Sequence, residues 1–217
     1  QNMLPATTVA ELKRHGHALA KRHDRATVLF ADVVSFTRIA GTLPPEQLVH
    51  LLHEQFSAFD AIMERNGVER IKTIGDAYMA AGGLGDDPDG DCLRITRAAM
   101  EMQAHVKTLP PLPDGTLFQL RIGMHTGPVV SGVVGTKKVA YDIWGDAVNI
   151  ASRMEASGEA GRVNISNATY LLLHGRFHCQ RRGRIEARNV GPVIMFFVES
   201  ELAPGETPVM DEEERST

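Results

Sequence analysis

Cysteine is scarce in this 217-residue chain: Cys92 and Cys179 stand far apart, without metal-ligand spacing. That excludes a disulfide framework and a cysteine-built zinc site, and it fits a reducing compartment. No G-x-x-x-x-G-K-[ST] segment occurs, so the glycine loop that commonly cradles nucleotide phosphates is missing. Neither a secretory leader nor an apolar run of membrane-spanning length is present. The residues read as a cytoplasmic domain, which leaves room for a longer parent anchored in the plasma membrane. Basic excess is also lacking. With a net charge of -4 and a pI near 6.1, the chain has no electrostatic footprint for nucleic acid. Any phosphate ligand must be held by local cations or by metal.

At 43% hydrophobic and 23% charged residues, the chain can bury the core of one globular domain with short appendages. Residues 1–25 are polar and basic, with Leu4, Val9, Leu12 and Leu19 as scattered apolar positions, and read as a linker or surface arm. Residues 200–217 carry Glu206, Asp211, Glu212, Glu213 and Glu214 with almost no apolar content, so an acidic disordered tail is expected. Residues 26–199 are left as the folded domain.

Within that domain the most informative stretch is Tyr141 to Glu155, YDIWGDAVNIASRME. Tyr141 to Trp144 favours a strand and Gly145 breaks it. Ala147, Val148, Ile150, Ala151 and Met154 then recur as the buried face of a helix that ends before Gly158. Asp142, Asn149 and Arg153 project from this strand, turn and helix, the last two four residues apart on one helical face. Packing alone would not need all three.

Upstream, Ala26 to Val34 (ATVLFADVV) is a buried central strand interrupted by one carboxylate, Asp32. Asp32 either caps the following turn through Ser35 and Thr37 or serves a ligand, since an unpaired buried charge is costly. A helix from Pro45 to Asn66 follows, with Leu48, Leu52, Phe56, Phe59 and Met63 as its core stripe. ERIKTIGDAYMAAGG then reads as a hairpin with Gly75-Asp76 at its turn. The run Gly82 to Asp87 resembles the diguanylate cyclase signature without its acidic-acidic-Phe order. Asp87, Asp89 and Asp91 have calcium-loop spacing without the required glycine and glutamate. Both read as a solvated loop before a helix whose core face is Ile95, Ala98, Ala99, Met102 and Val106.

LFQLRIGMHTGPVVSGVVG predicts a strand, a tight Thr126-Gly127-Pro128 connection and a second strand. Arg121 lies there between apolar neighbours, either paired in the core or aimed at a ligand, and His125 reads as a structural histidine. The last third alternates short elements: a strand from Gly161 to Ile165, a helix capped by Ser166, and strands near Phe177 to Arg182 and Val193 to Glu199.

YDIWGDAVNIASRME, FADVVSFT and IKTIGDAYM closely resemble, in the expected order, the motifs of class III nucleotidyl cyclases, the makers of cyclic AMP and cyclic GMP. The resemblance runs from Ala26 to Glu199. It implies an α+β fold, a ferredoxin-like βαββαβ core with class III cyclase additions, with helices on one face of the sheet. It further implies two divalent cations, Mg²⁺ or Mn²⁺, held by Asp32, Asp76 and the backbone carbonyl of Val33. Amides of the Val34–Thr37 segment, at Phe36 and Thr37, would cradle β- and γ-phosphates. Arg121 and Arg188 would contact the terminal phosphates. Lys72 and Asp142 occupy the base-selecting positions, Asn149 would orient the ribose or a water, and Arg153 would stabilise charge on the α-phosphate.

An ammonium and a carboxylate complement N1 and the exocyclic amine of adenine, whereas guanylyl cyclases typically carry Glu and Cys at these positions. The resemblance therefore implies an adenylate cyclase acting on ATP, working as a homodimer with two shared sites. The alternatives are a guanylate cyclase and a non-catalytic cyclase-like module. Residues 4–14, LPATTVAELKR, resemble the segment that joins such domains to an upstream sensor or membrane domain. One departure stands out: RGRIEARNVGP has Arg188, Asn189 and Val190 where the family has lysine, glycine and lysine.

Overall fold

The structure is a computed structural model that describes residues 19–135, 139–203, 205 and 206. The expected arm before residue 19 and tail beyond 206 lie outside the described residues. The elements run β1 (Lys21–Val33), α1 (Phe36–Thr42), α2 (Pro45–Arg65), β2 (Glu69–Ile74), β3 (Ala77–Gly82), α3 (Pro88–Lys107) and β4 (Leu120–Val134). They continue with β5 (Ala140–Trp144), α4 (Asp146–Ala156), β6 (Val163–Ser166), α5 (Asn167–Leu173), β7 (Phe177–Ala187) and β8 (Gly191–Glu201).

The sheet order is β2-β3-β1-β4-β6-β8-β7, with β5 paired to β4. The first four strands are antiparallel to their neighbours and, with α2 and α3, form the expected ferredoxin-like βαββαβ core. β6 joins β4 in parallel, and β7 and β8 close that side as a hairpin. Ser166 caps α5 by accepting from the Thr169 amide.

β1 reads as a nearly continuous apolar run because both of its faces are covered. Leu29, Ala31 and Val33 point into the larger core with Phe59 and Met63 of α2, Ile95 and Met102 of α3, and Leu173 of α5. Ala26, Val28 and Phe30 point the other way, against Ala147 and Ala151 of α4. This corrects the expectation of helices on one face only: a one-sided layer would leave the second apolar face of β1 in water.

The contact of α4 with the sheet is close because Gly123 of β4 has no side chain. A Cβ built there would stand 1.8 Å from the Glu155 amide nitrogen. Gly123→Ala is therefore expected to push α4 off the sheet and cost about 3 kcal/mol of stability, the range of a severe overpacking lesion. Urea unfolding would measure it, and a wild-type midpoint would contradict the tight packing.

Two boundaries differ from the sequence expectation. β1 starts at Lys21 and not at Ala26, its first residues pairing with Val129–Ser131 across a register shift between His23 and Ala26. The expected Thr126-Gly127-Pro128 break is absent, and β4 runs through it as one strand. Pro128 falls opposite that register shift, and between the stretches of β4 that pair with β6 and with β5. Its missing N–H thus costs no ladder bond.

Candidate active site

At one end of the sheet, β1 delivers Asp32, the β2–β3 turn delivers Asp76, and β4 delivers Arg121, which is the register partner of Asp32. Gly75, at φ 62, makes the tight turn that presents Asp76. Arg121 donates from Nη2 to Asp32 Oδ2 at 3.2 Å and from Nε to Glu155 Oε1 at 2.8 Å. The arginine is thus core-paired, with a third of its side chain exposed.

The carboxyl of Asp32 is pushed up to about 6, first by burial and then by the charges of Glu155 and Asp76, against the opposing pull of Arg121. Burial likewise raises the Glu155 carboxyl, despite its bond to Arg121.

Three carboxylates thus act on one another around a single guanidinium, which pairs with two of them, Asp32 and Glu155, and the surplus of negative charge suits a divalent cation. Two hard carboxylates, with room left for phosphate oxygens and water, fit Mg²⁺ or Mn²⁺ better than zinc. Among the described residues no group of three or more His, Cys, Asp or Glu is arranged to hold a metal ion by itself.

Beyond Asp32 the chain turns into α1 through Ser35, whose φ of 57 is unusual for a residue with a side chain. Val34 donates to Gln119 O at 2.9 Å, and the amides of Arg38 and Ile39 bond back to Ser35 O. No described acceptor is paired with the amides of Phe36 and Thr37.

A second pair meets elsewhere. Lys72 Nζ of β2 stands 2.5 Å from Asp142 Oδ2 of β5, with the other oxygen of Asp142 accepting from the Ile143 amide at 2.9 Å. Both side chains keep some exposure, 39% and 17%, so the pair is reachable from outside.

Asn149 and Arg153 lie one turn apart on α4, exposed and half-buried respectively. Among the described residues, no side-chain hydrogen bond or ion pair joins either of them to Asp32 or Asp76. Arg188 likewise makes no side-chain hydrogen bond or ion pair with Asp32 or Asp76 among the described residues. Arg188 is exposed at the tip of the β7–β8 hairpin, whose half nearer the tip packs through Ala187 and Met195 on Met154 of α4, with Ile150 alongside. Asn189 adopts φ 64, the left-handed conformation a glycine would take there. Asparagine tolerates it, so the tight hairpin survives the departure from glycine.

The other candidates resolve as structure. His125 Nδ1 lies 2.7 Å from Ser166 Oγ, and burial holds the ring's pKa down to about 4, so it stays neutral. Asp87 caps α3 through the Gly90 amide, and Asp91 holds the Gly83 amide and Arg94. Neither Cys92 nor Cys179 is in a disulfide. No described helix is long and apolar enough to cross a membrane.

Glu155 was not singled out in the sequence, although the signal was there. It directly follows Met154 and stands four residues after Ala151, on the buried face of α4, and a carboxylate on that face needs a cation.

The profile described as the adenylate and guanylate cyclase catalytic domain matches residues 18–200. An adenylate cyclase of Mycobacterium tuberculosis (strain ATCC 25618 / H37Rv) is 39% identical over 198 residues, covering 91% of this chain and 44% of that protein. The guanylate cyclase soluble subunit beta-2 of Rattus norvegicus is 36% identical over 209 residues, covering 96% of this chain and 31% of that protein. The chain thus spans less than half the length of these curated relatives. Among solved structures, the guanylate cyclase domain of RhGC from Catenaria anguillulae in complex with GTP superposes with a TM-score of 0.79. It is 32% identical and covers 84% of this chain and 100% of that one. Adenylate and guanylate cyclases are similar to this chain to nearly the same degree, so the similarity does not separate the two bases. With the paired aspartates, the Lys72–Asp142 contact and this match over most of its length, the chain belongs to the family of adenylate and guanylate cyclase catalytic domains.

Proposed function

We propose that this domain is an adenylate cyclase that converts ATP to 3′,5′-cyclic AMP and pyrophosphate, as a homodimer with two shared sites. The observation that carries the choice of base is the 2.5 Å contact between Lys72 and Asp142. It sets one donor and one acceptor side by side, the order that N1 and the exocyclic amine of adenine require. Guanine, with a protonated N1 and a carbonyl, would leave both groups mismatched, and a site built on hydrogen bonds rejects such a ligand strongly. A guanylate cyclase is the second reading, favoured by the guanylate cyclases among its relatives.

Asp32 and Asp76, with the Val33 carbonyl, would hold two divalent cations. When bound, these would lower the pKa of the ribose 3′-hydroxyl and screen the departing phosphates. The 3′-oxygen then attacks the α-phosphorus in line, the bond to the bridging oxygen breaks, and pyrophosphate leaves. Arg153 stabilises the charge that grows on the α-phosphate oxygens, and Asn149 orients the ribose or a neighbouring water. Arg188, Arg121 and the amides of Phe36 and Thr37 hold the terminal phosphates. No side chain is placed as general base, so the proton passes to substrate phosphate or to water. An upstream sensor or membrane domain would set the activity of the longer protein.

Purified protein incubated with ATP or GTP, with Mn²⁺ or Mg²⁺, and resolved by chromatography tests the reaction. Cyclic AMP formed in preference to cyclic GMP is expected, and a higher kcat/KM for GTP would overturn the choice of base. A sharper check is Lys72→Glu combined with Asp142→Cys, which should lower kcat/KM for ATP by about two orders of magnitude or more. Unchanged discrimination between ATP and GTP in that double variant would move base reading elsewhere.

A further inference from the structure

Arg121 is unusual among the cationic groups of the site because its guanidinium is divided between two carboxylates of different burial. Asp32 keeps 26% of its side chain exposed and Glu155 only 11%. The Nε bond to Glu155, at 2.8 Å, is the shorter of the two, against 3.2 Å to Asp32. Glu155 is fixed in turn by the close packing of α4 on the bare backbone of Gly123. So the fork of Arg121 is held from the buried side, and only one arm leans on Asp32.

We propose that Glu155 is a positioning residue for the carboxylate site: it clamps and neutralises Arg121, leaving Asp32 and Asp76 free to take a divalent cation. This inference rests on the cyclase reading for its catalytic consequence but not for its cation chemistry. Asp32, Asp76 and Glu155 against Arg121 leave two surplus negative charges. Without the Glu155 charge only one is left, and the guanidinium turns wholly toward Asp32, where it competes with a cation for the same oxygens. Glu155 also stands two residues from Arg153 on α4. The clamp therefore joins the strands that present the aspartates to the helix that presents Asn149 and Arg153.

The test uses Glu155→Gln, which is nearly isosteric and can still accept from Arg121, together with Arg121→Met and the double variant. Binding of Mn²⁺ is read by electron paramagnetic resonance without nucleotide, so it needs no turnover, and the melting temperature is read beside it. Glu155→Gln is expected to weaken Mn²⁺ binding about tenfold, and to raise the Mn²⁺ concentration for half-maximal turnover by a similar factor. In the double variant, Mn²⁺ binding should recover most of that loss, because the competing guanidinium is gone. A residue that only packs would lower the melting temperature without moving the Mn²⁺ titration. Mn²⁺ binding within twofold of wild type in Glu155→Gln, or a double variant whose Mn²⁺ binding stays as weak as that of Glu155→Gln, overturns the proposal. Should Glu155→Gln not fold, Arg121→Met alone decides. Its Mn²⁺ binding should equal or exceed wild type if Glu155 serves to restrain that guanidinium, and a fall below wild type overturns the idea. A protein that turns over neither ATP nor GTP yet shows these Mn²⁺ shifts would refute the cyclase reading and leave the clamp standing.

Discussion

Asp32→Ala and Asp76→Ala are each expected to lower cyclisation by on the order of 10³-fold, since each would remove a proposed ligand of the divalent cations, which would supply several kcal/mol of transition-state stabilisation. Stability should move little, and for Asp32 it should move upward. Its carboxyl is half-buried beside Glu155 and Asp76 and is pushed up to about 6, so the charged form is unfavourable in the folded protein without metal. Removing it relieves that repulsion, and Arg121 keeps its 2.8 Å bond to Glu155. Asp76 sits in a two-residue turn whose geometry rests on Gly75, so alanine there leaves the β2–β3 hairpin paired. Initial rates with saturating Mn²⁺, together with thermal melts in chelator, separate the two effects. Near-normal turnover in either variant would sink the metal assignment. A collapse of the melting temperature would show that the aspartates serve the fold.

Much of this was legible in the chain because local pattern and tertiary need agree. β1 from Ala26 onward, the β2–β3 turn, the strand Ala140–Trp144 and the helix after it stand where residue periodicity and the breaks at Gly75 and Gly145 put them. The failures have a common cause: they depend on what lies across the sheet. Proline at 128 reads as a strand breaker, yet the register shift in β1 and the gap between β5 and β6 let β4 pass through it. The second apolar face of β1 was visible as an unbroken run, but only the closeness permitted by Gly123 shows which helix covers it. The site divides the same way. Sequence motifs named Asp32, Asp76, Lys72 and Asp142, whereas the partner that Arg121 takes on the buried side, Glu155, is set by packing.

Within one chain, no hydrogen bond or ion pair among the described residues joins Asn149 or Arg153 to the aspartates, and this leads to the second large prediction. If two copies complete each other's sites, Asp32→Ala spoils the carboxylate half and Arg153→Ala the α-phosphate half of every site in their respective homodimers. Each variant alone should be close to inactive. Mixed after separate purification, half of the dimers contain one copy of each. In such a dimer both lesions fall in one site and the other site is wild type. Random exchange should therefore restore roughly one quarter of wild-type activity, from half the dimers with half their sites. Recovery should rise with protein concentration as subunits associate. Labelled subunits establish that exchange has taken place. If it has, and the mixture stays inactive, the proposal of two independent shared sites fails. Activity in a species that sedimentation shows to be monomeric would place the whole reaction within one chain and end the shared-site proposal.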